Sequence, residues 1–321
     1  MRPYSSAFGL AAGLYIAALA CVAQAQDAPP QATSPPVPAP SPPAASGGHP
    51  ADLASVDSGR LLLTQGVSNI EGAAGGGLAT WAVISGYGTR DAIGANAHFT
   101  YVGLPGYELR DYGVSVGFYD RLEVSYTREA FDTGSTGGKL GLGDGFTFNQ
   151  DVVGVKLKLF GDAVYDQNSL LPQVAVGLQY KHNDKGAIIQ AVGGKHADGV
   201  DYYVSATKLF LNQSLVVDAT LRITKANQTG LLGFGGDRND SYGPQFEGSV
   251  GYLLTRRLVV GAEYRTKPSN LGFAKEDDWY DLFAAYALNK NLSVTLAYAD
   301  LGSIATFHNQ RGVYVSLQAG F

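Results

Sequence analysis

The stretch Gly113-Val114-Ser115-Val116-Gly117 spells a Gly-x-Ser-x-Gly pattern. A serine nucleophile in that pattern needs a strand, a sharp turn and a helix around it. Here Ser115 sits inside an alternating apolar/polar run, as in a strand interior, so no nucleophile is assigned to it. The five histidines, His49, His98, His182, His196 and His308, have spacings that suit neither a metal site nor a triad. The glycine-rich runs 72–77 and 141–145 lack the Lys-Ser/Thr pair and the helix start that phosphate binding needs. Asp237-Arg238-Asn239-Asp240 and Glu276-Asp277-Asp278 lack EF-hand spacing and read as solvated loops rather than calcium or lipopolysaccharide-cation sites. No catalytic residue, metal ligand or cofactor is expected, and the chain is not read as an enzyme.

The informative charges lie inside alternating segments. In 214–224, Leu215, Val217, Ala219, Leu221 and Ile223 share one face. Ser214, Asp218, Thr220, Arg222 and Thr224 share the other, with Val216 as its apolar exception. In 257–267, Leu258, Val260, Ala262 and Tyr264 oppose Arg257, Glu263, Arg265 and Lys267, with Val259 as the exception. Successive strand side chains point to opposite faces, so each segment has one apolar and one polar side. If the apolar faces meet lipid, Asp111, Arg121, Glu123, Lys156, Lys158, Asp218, Arg222, Glu247, Glu263, Arg265 and Asp281 point into a barrel and would line its pore. Buried charges need partners or water. Counting out from the turn at Arg256 sets Glu247 opposite Arg265, with Glu263 one inward position nearer the turn and Arg222 on the same wall. By the same count Glu123 should meet Lys158.

Such residues need a closed antiparallel sheet to hold them. Short connections at 88–91, 119–121, 211–214, 255–257 and 289–291 alternate with long ones at 131–149, 182–199, 226–241, 268–277 and 302–310. Short turns on one side and long loops on the other are the outer-membrane barrel pattern, with the short turns periplasmic. The connection 161–171 breaks it, being long on the short-turn side. The expected fold is all-β, an up-and-down transmembrane barrel of about 14 strands, with 12 as the alternative. The first two strands, 60–68 and 80–88, are interrupted by 72–77, so residues 60–79 are either wall or a plug in the lumen. Tyr101, Tyr126, Tyr180, Tyr202, Tyr264, Tyr280 and Tyr298 fall towards the long-loop ends, and Phe118, Tyr252 and Phe321 near the short-turn ends. Two aromatic girdles are expected of such a barrel.

Both ends of the chain agree. Arg2, the apolar run 7–22 and Ala23-Gln24-Ala25 read as a signal peptide cleaved after residue 25. A lipoprotein signal acylated at Cys21 is the rival, weakened by Leu19 standing one place late. Cys21 is the only cysteine, so the mature chain has no thiol. With Arg2 lost, 22 basic residues face 28 acidic ones, a net charge of −6 with no basic stripe, which argues against nucleic acid. Residues 26–58 form a linker, and nine of the 14 prolines fall in 27–50, a composition that stays extended. The domain then runs 59–321. Its last strand alternates Val313, Val315, Leu317, Ala319 and Phe321 against small or polar residues. Gln310, Gly312, Val315, Leu317 and the terminal Phe321 resemble the assembly signal read by the barrel-assembly machinery.

Four runs carry a family resemblance: Leu61-Leu62-Leu63-Thr64, Ile70-Glu71-Gly72-Ala73-Ala74-Gly75-Gly76-Gly77-Leu78, Leu231-Leu232-Gly233-Phe234-Gly235-Gly236-Asp237-Arg238-Asn239-Asp240 and Glu263-Tyr264-Arg265-Thr266-Lys267-Pro268. Together they resemble a proteobacterial outer-membrane family catalogued as a domain of unknown function, over about residues 59–321. The resemblance implies an outer-membrane setting and no substrate. The expected location is the Gram-negative outer membrane, with linker and C-terminus periplasmic. The expected partners are lipid, lipopolysaccharide, the assembly machinery and an unidentified small solute. A channel or porin-like protein for passive uptake is the first functional expectation. A closed structural or anchoring barrel with a proline-rich docking tail is the second.

Overall fold

The computed structural model describes residues 62–321, so the signal peptide, the linker and residues 59–61 lie outside the described residues. The chain opens with two short segments, β1 (Val67–Ser68) and β2 (Ala74–Gly75), which pair only with each other. β3 (Ile93–Leu104), β4 (Tyr107–Phe118), β5 (Leu122–Asp132), helix α1 (Gly134–Lys139), β6 (Thr147–Phe160) and β7 (Gln173–Asn183) follow. Then come helix α2 (Gly186–Ala191), β8 (Gly194–His196), β9 (Asp198–Phe210), β10 (Leu215–Thr224), β11 (Phe234–Gly236) and β12 (Gly243–Thr255). The chain ends with β13 (Leu258–Arg265), β14 (Trp279–Ala287), β15 (Leu292–Asp300) and β16 (Arg311–Gly320). Twelve of these strands close into one antiparallel barrel, β3 to β7, β9, β10 and β12 to β16, with β16 pairing β3 to seal it. β8 and β11 pair apart from the wall, among the loops.

The strand count is therefore the alternative of twelve. Residues 62–92 contribute no barrel strand, so the expected wall strands at 60–68 (from residue 62) and 80–88 and the turn at 88–91 are not wall elements. Every residue from 65 to 88 is buried, forming a plug inside the lumen. The sequence explains it: 80–88 reads Thr-Trp-Ala-Val-Ile-Ser-Gly-Tyr-Gly, apolar or small on both parities. A wall strand needs one face for lipid and one for the lumen, whereas this segment buries both.

The face assignments hold in the wall. Leu221 is 47% exposed, outward, while Thr220 and Arg222 are each 1% exposed, inward. Tyr264 points out, and Glu263 and Arg265 are buried. Outward tyrosines form the girdle at the loop ends. The hydroxyl of Tyr126 donates to Asp151 at 2.8 Å, that of Tyr280 to Asp300 at 2.5 Å, and that of Tyr264 to Asp278. The exceptional connection 161–172 folds inward at the turn end. Lys208 Nζ donates to its carbonyls at Asp162, Asp166 and Leu171, and Val164 is buried.

Leu221→Arg should destabilise the barrel by about 2–4 kcal/mol if the residue lies near mid-membrane. Thr220→Arg should also be harmful, by another route, because the Thr220 hydroxyl donates to the plug carbonyl of Thr80 at 2.6 Å. Urea titration of refolded protein in lipid checks both. A neutral Leu221→Arg variant would refute the outward assignment of β10.

Candidate functional site: the plugged lumen

A plug with almost no ladder of its own must find partners for its backbone elsewhere. The wall supplies them from charged side chains. Glu123 accepts from the N–H of Ala74 at 3.1 Å and of Ser85 at 2.9 Å. Glu247 accepts from Thr80 N–H at 2.9 Å, and Glu263 from Leu78 N–H at 2.7 Å. Lys156 Nζ donates to the carbonyls of Ala74 and Val83 at 2.9 and 3.0 Å. Arg265 donates to the carbonyl of Leu78 at 3.2 Å.

At the centre lies a cluster of three acids and three bases. Glu71, from the plug, pairs with Arg265 at 2.8 Å, with Arg222 at 3.2 Å and with Lys181. Lys181 also meets Asp201 at 2.7 Å, and Arg222 also meets Glu247 and Asp201. Arg265 Nε lies 3.4 Å from Glu247. All six side chains are at most 4% exposed, and their formal charges cancel. Buried ions are tolerated only with partners of this kind.

Ten of the eleven expected lumen residues are buried on the inward side: Asp111, Glu123, Lys156, Lys158, Asp218, Arg222, Glu247, Glu263, Arg265 and Asp281. Arg121 is not among them. It follows the tight turn at Tyr119 and Asp120, both with positive φ, and is exposed there. Glu247 is the register partner of Arg265, as counted. Glu123 meets Lys156 at 3.2 Å instead of Lys158, because Glu123 and Lys156 are direct register partners. Lys158 turns to Asp120 at 2.6 Å. Glu263 takes no arginine, having spent its carboxylate on Leu78 N–H and, at 2.6 Å, on the Ser249 hydroxyl. Asp281 is its register partner, and both carboxylates converge on Gly77, where a Cβ would lie 3.4 Å from each. Asp111 stands 3.2 Å from His98.

Sequence reasoning left out Glu71, Lys181, Asp201 and Glu129. The last three share the inward parity of β7, β9 and β5 and follow from the same alternation rule. Glu71 carried one signal, being the lone acid in 62–90. Ser115 points inward with its hydroxyl 2.5 Å from that of Ser85 in the plug. The Gly-x-Ser-x-Gly run is a strip of small inward residues. At Gly117 a Cβ would lie 2.2 Å from the carbonyl oxygen of Ser85.

Polar packing fills the middle only. At the turn end, Val216, Leu209, Leu253 and Val259 from the wall face Trp81 and Val83 of the plug around a cavity of about 50 Å³. At the loop end, Tyr107, Phe131, Phe148 and Trp279 surround a second, of about 120 Å³, roofed by Ile188, Leu231 and neighbouring loop residues. Beside it Lys267 pairs with Glu276 at 3.0 Å, correcting the reading of 276–278 as simply solvated. Burial lifts the Glu276 carboxyl above its ordinary range while Lys267 opposes, and burial lowers the Lys267 ammonium while Glu276 opposes. The pair sums to zero charge whichever group holds the proton.

The family model matches residues 64–318, which takes in the plug and the twelve wall strands except the last two residues of β16. The chain belongs to the family described as "Protein of unknown function (DUF3034)". Of the four runs noted in the sequence, 70–78 lies in the plug, 62–64 leads into it, one lies in the inward loop after β10 and one at the end of β13. No curated protein matches the chain. Among solved structures, the chain is similar to the KdgM porin in complex with disordered oligogalacturonate, at 12% identity and TM-score 0.47, covering 70% of this chain and 99% of that one. The NanC porin is similar at 12% identity and TM-score 0.46, over 71% and 98% of the two chains. The outer membrane phospholipase A from Escherichia coli is similar at 12% identity and TM-score 0.41, over 70% and 92%. These likenesses are of architecture. The DUF3034 chain is a closed, twelve-stranded antiparallel β-barrel.

Deletion of Phe321 should lower assembled yield. Its backbone accepts from Ala95 and Tyr87 at 2.9 Å each and donates to Ala95 at 2.8 Å. Gly312 has a packing reason beside any role in assembly, since a Cβ there would meet the carbonyl oxygen of Gly103 at 1.8 Å. The gel-mobility difference between unheated and boiled samples checks the deletion. Undiminished heat-modifiable protein would overturn it.

Proposed function

We propose that this protein is a gated uptake barrel of the outer membrane, closed at rest, which passes a small solute passively when its plug shifts. One observation carries this: a cavity lies at each end of the lumen, and one inserted segment divides them. A purely structural barrel would gain nothing from two chambers, whose unfilled volume is destabilising. The inward charges named above act as the seat of the plug and become pore-lining when it moves. Gln310, Gly312, Val315, Leu317 and Phe321 serve assembly. Lipid and lipopolysaccharide surround the barrel, and both of its termini face the periplasm. No catalytic role is proposed.

The second reading is a closed anchoring barrel. The charge-balanced cluster around Glu71 favours it, because nothing there is left without a partner. A cysteine lock separates the two. Ser85→Cys with Ser115→Cys places two thiols where hydroxyls stand 2.5 Å apart. No cysteine other than Cys21 exists to interfere. In planar bilayers with potassium chloride, the wild type should show intermittent openings. The oxidised double variant should be silent, and reduction should restore the openings. Openings that persist with the disulfide formed would remove plug movement from the mechanism. A wild type silent under all conditions would favour the anchoring barrel.

A further inference from the structure

The inward face of a membrane barrel is ordinarily polar, yet the loop-end chamber is walled almost wholly by carbon. Its volume, about 120 Å³, approaches the ~150 Å³ of an apolar cavity that admits a single benzene ring. Tyr107 stacks on Phe131 with ring centroids 5.1 Å apart, so part of its wall is a fixed aromatic surface. Its polar lining residues Thr133, Gln228 and Tyr107 spend their side-chain groups on Phe146, on Ser303 and Lys267, and on Ile304, and one lining polar atom is left over. Trp279 is 3% exposed, lines the chamber, and its indole Nε1 has no hydrogen-bond partner. A buried indole N–H usually finds an acceptor. Trp81, the other tryptophan, donates to the Ser249 hydroxyl at 2.9 Å. The Trp279 ring is also engaged: Lys267 Nζ sits 4.3 Å from its centroid. That ammonium is neutralised by Glu276 at 3.0 Å and donates to Gln228 at 3.0 Å, so it offers a ligand no net charge.

We propose that the loop-end chamber binds a neutral, mainly apolar small molecule with one hydrogen-bond acceptor, an aryl or alkyl ketone, ester or ether, whose acceptor takes the Trp279 indole proton. The class follows from what the chamber lacks. An ion or a polyhydroxylated sugar would lose its water without enough partners in return. A pure hydrocarbon would fit the wall but leave the indole proton unmet. This names the substrate class of the uptake reading and rests on that reading for its purpose, while the binding chemistry stands on the chamber alone.

Two near-isosteres test it: 4-fluoroacetophenone, which has a carbonyl, and 1-ethyl-4-fluorobenzene, which has none. Each is titrated into the full chain in lipid nanodiscs and followed by fluorine NMR, with empty nanodiscs as the partition baseline. The ketone should bind saturably and about fivefold more tightly than the ethyl compound, the worth of one neutral hydrogen bond. Trp279→Phe should equalise the two. Leu142→Trp, a loop change that fills the chamber, should abolish saturable binding of both. Heat-modifiable gel mobility confirms that each variant is folded. The proposal is overturned if neither compound binds saturably, if the ketone preference survives Trp279→Phe, or if Leu142→Trp binds like wild type. Saturable binding in a protein that never opens would uphold the site and remove the uptake reading. Openings with no saturable binding would do the reverse.

Discussion

Glu71→Gln should unseat the plug. The substitution keeps the shape of the side chain but removes one of three negative charges facing Lys181, Arg222 and Arg265. Asp201 and Glu247 then face three buried cations alone. Breaking a buried ion pair on one side costs about 3–5 kcal/mol, because the partner charge stays out of water. The seated plug should lose that much relative to any displaced arrangement that lets water reach the cations. At 1.4 kcal/mol per tenfold, the equilibrium moves by roughly two to four decades. The wall should survive, since its twelve ladders do not use Glu71. Sustained conductance and rapid proteolysis within 62–92, in a barrel that still migrates as folded, are the expected readouts. High salt should amplify the opening modestly by screening the remaining pairs once water enters. A variant as silent and as protease-resistant as wild type would show that Glu71 does not hold the plug.

Gly117→Val should reach the same state by contact alone. The new Cβ would stand 2.2 Å from the Ser85 carbonyl oxygen and 2.8 Å from Ile84 Cγ2. A backbone atom cannot rotate out of the way, so plug or wall must move. The wall at Gly117 is held on both sides by register partners Gly94 and Glu123, which makes the plug the part that yields. Overpacking of this kind typically costs about 1–3 kcal/mol. The phenotype should match that of Glu71→Gln in conductance and proteolysis but differ in salt dependence, since no charge has changed. Combining the two variants should add little further conductance, because one plug cannot be displaced twice. If Gly117→Val instead destroys heat-modifiable protein outright, the contact belongs to barrel closure and not to plug seating.

Much of this was legible in alternation. Each wall strand must show lipid one parity and the lumen the other, so Leu221 against Arg222 and Tyr264 against Arg265 could be assigned from spacing. The exceptions carried equal information. Val216 and Val259 break the polar parity of their strands, and both line the turn-end chamber with Trp81. The plug was harder, because alternation describes a surface with two unlike sides and residues 65–88 have none. Pairings within the lumen were legible only where two charges are register partners, as with Glu247 and Arg265. The arginines' choice of Glu71 depends on a segment entering from outside the sheet, which no strand register encodes. The loop-end chamber depends likewise on Ile188 and Leu231 folding inward from loops, where sequence period is lost.

The backbone carbonyl of Phe321 accepts from Ala95, at the start of the wall, and from Tyr87, near the end of the plug, both at 2.9 Å. The plug is synthesised before every wall strand, yet one of its fastenings is supplied by the residue that follows the last of them. It cannot complete its seat until β16 has found β3. Insertion therefore has a built-in order, in which the earliest-made part of the domain is the latest to settle. A barrel caught before closure would have an open lumen and a loose amino-terminal segment. Seating of that segment thus reports that the seam is shut.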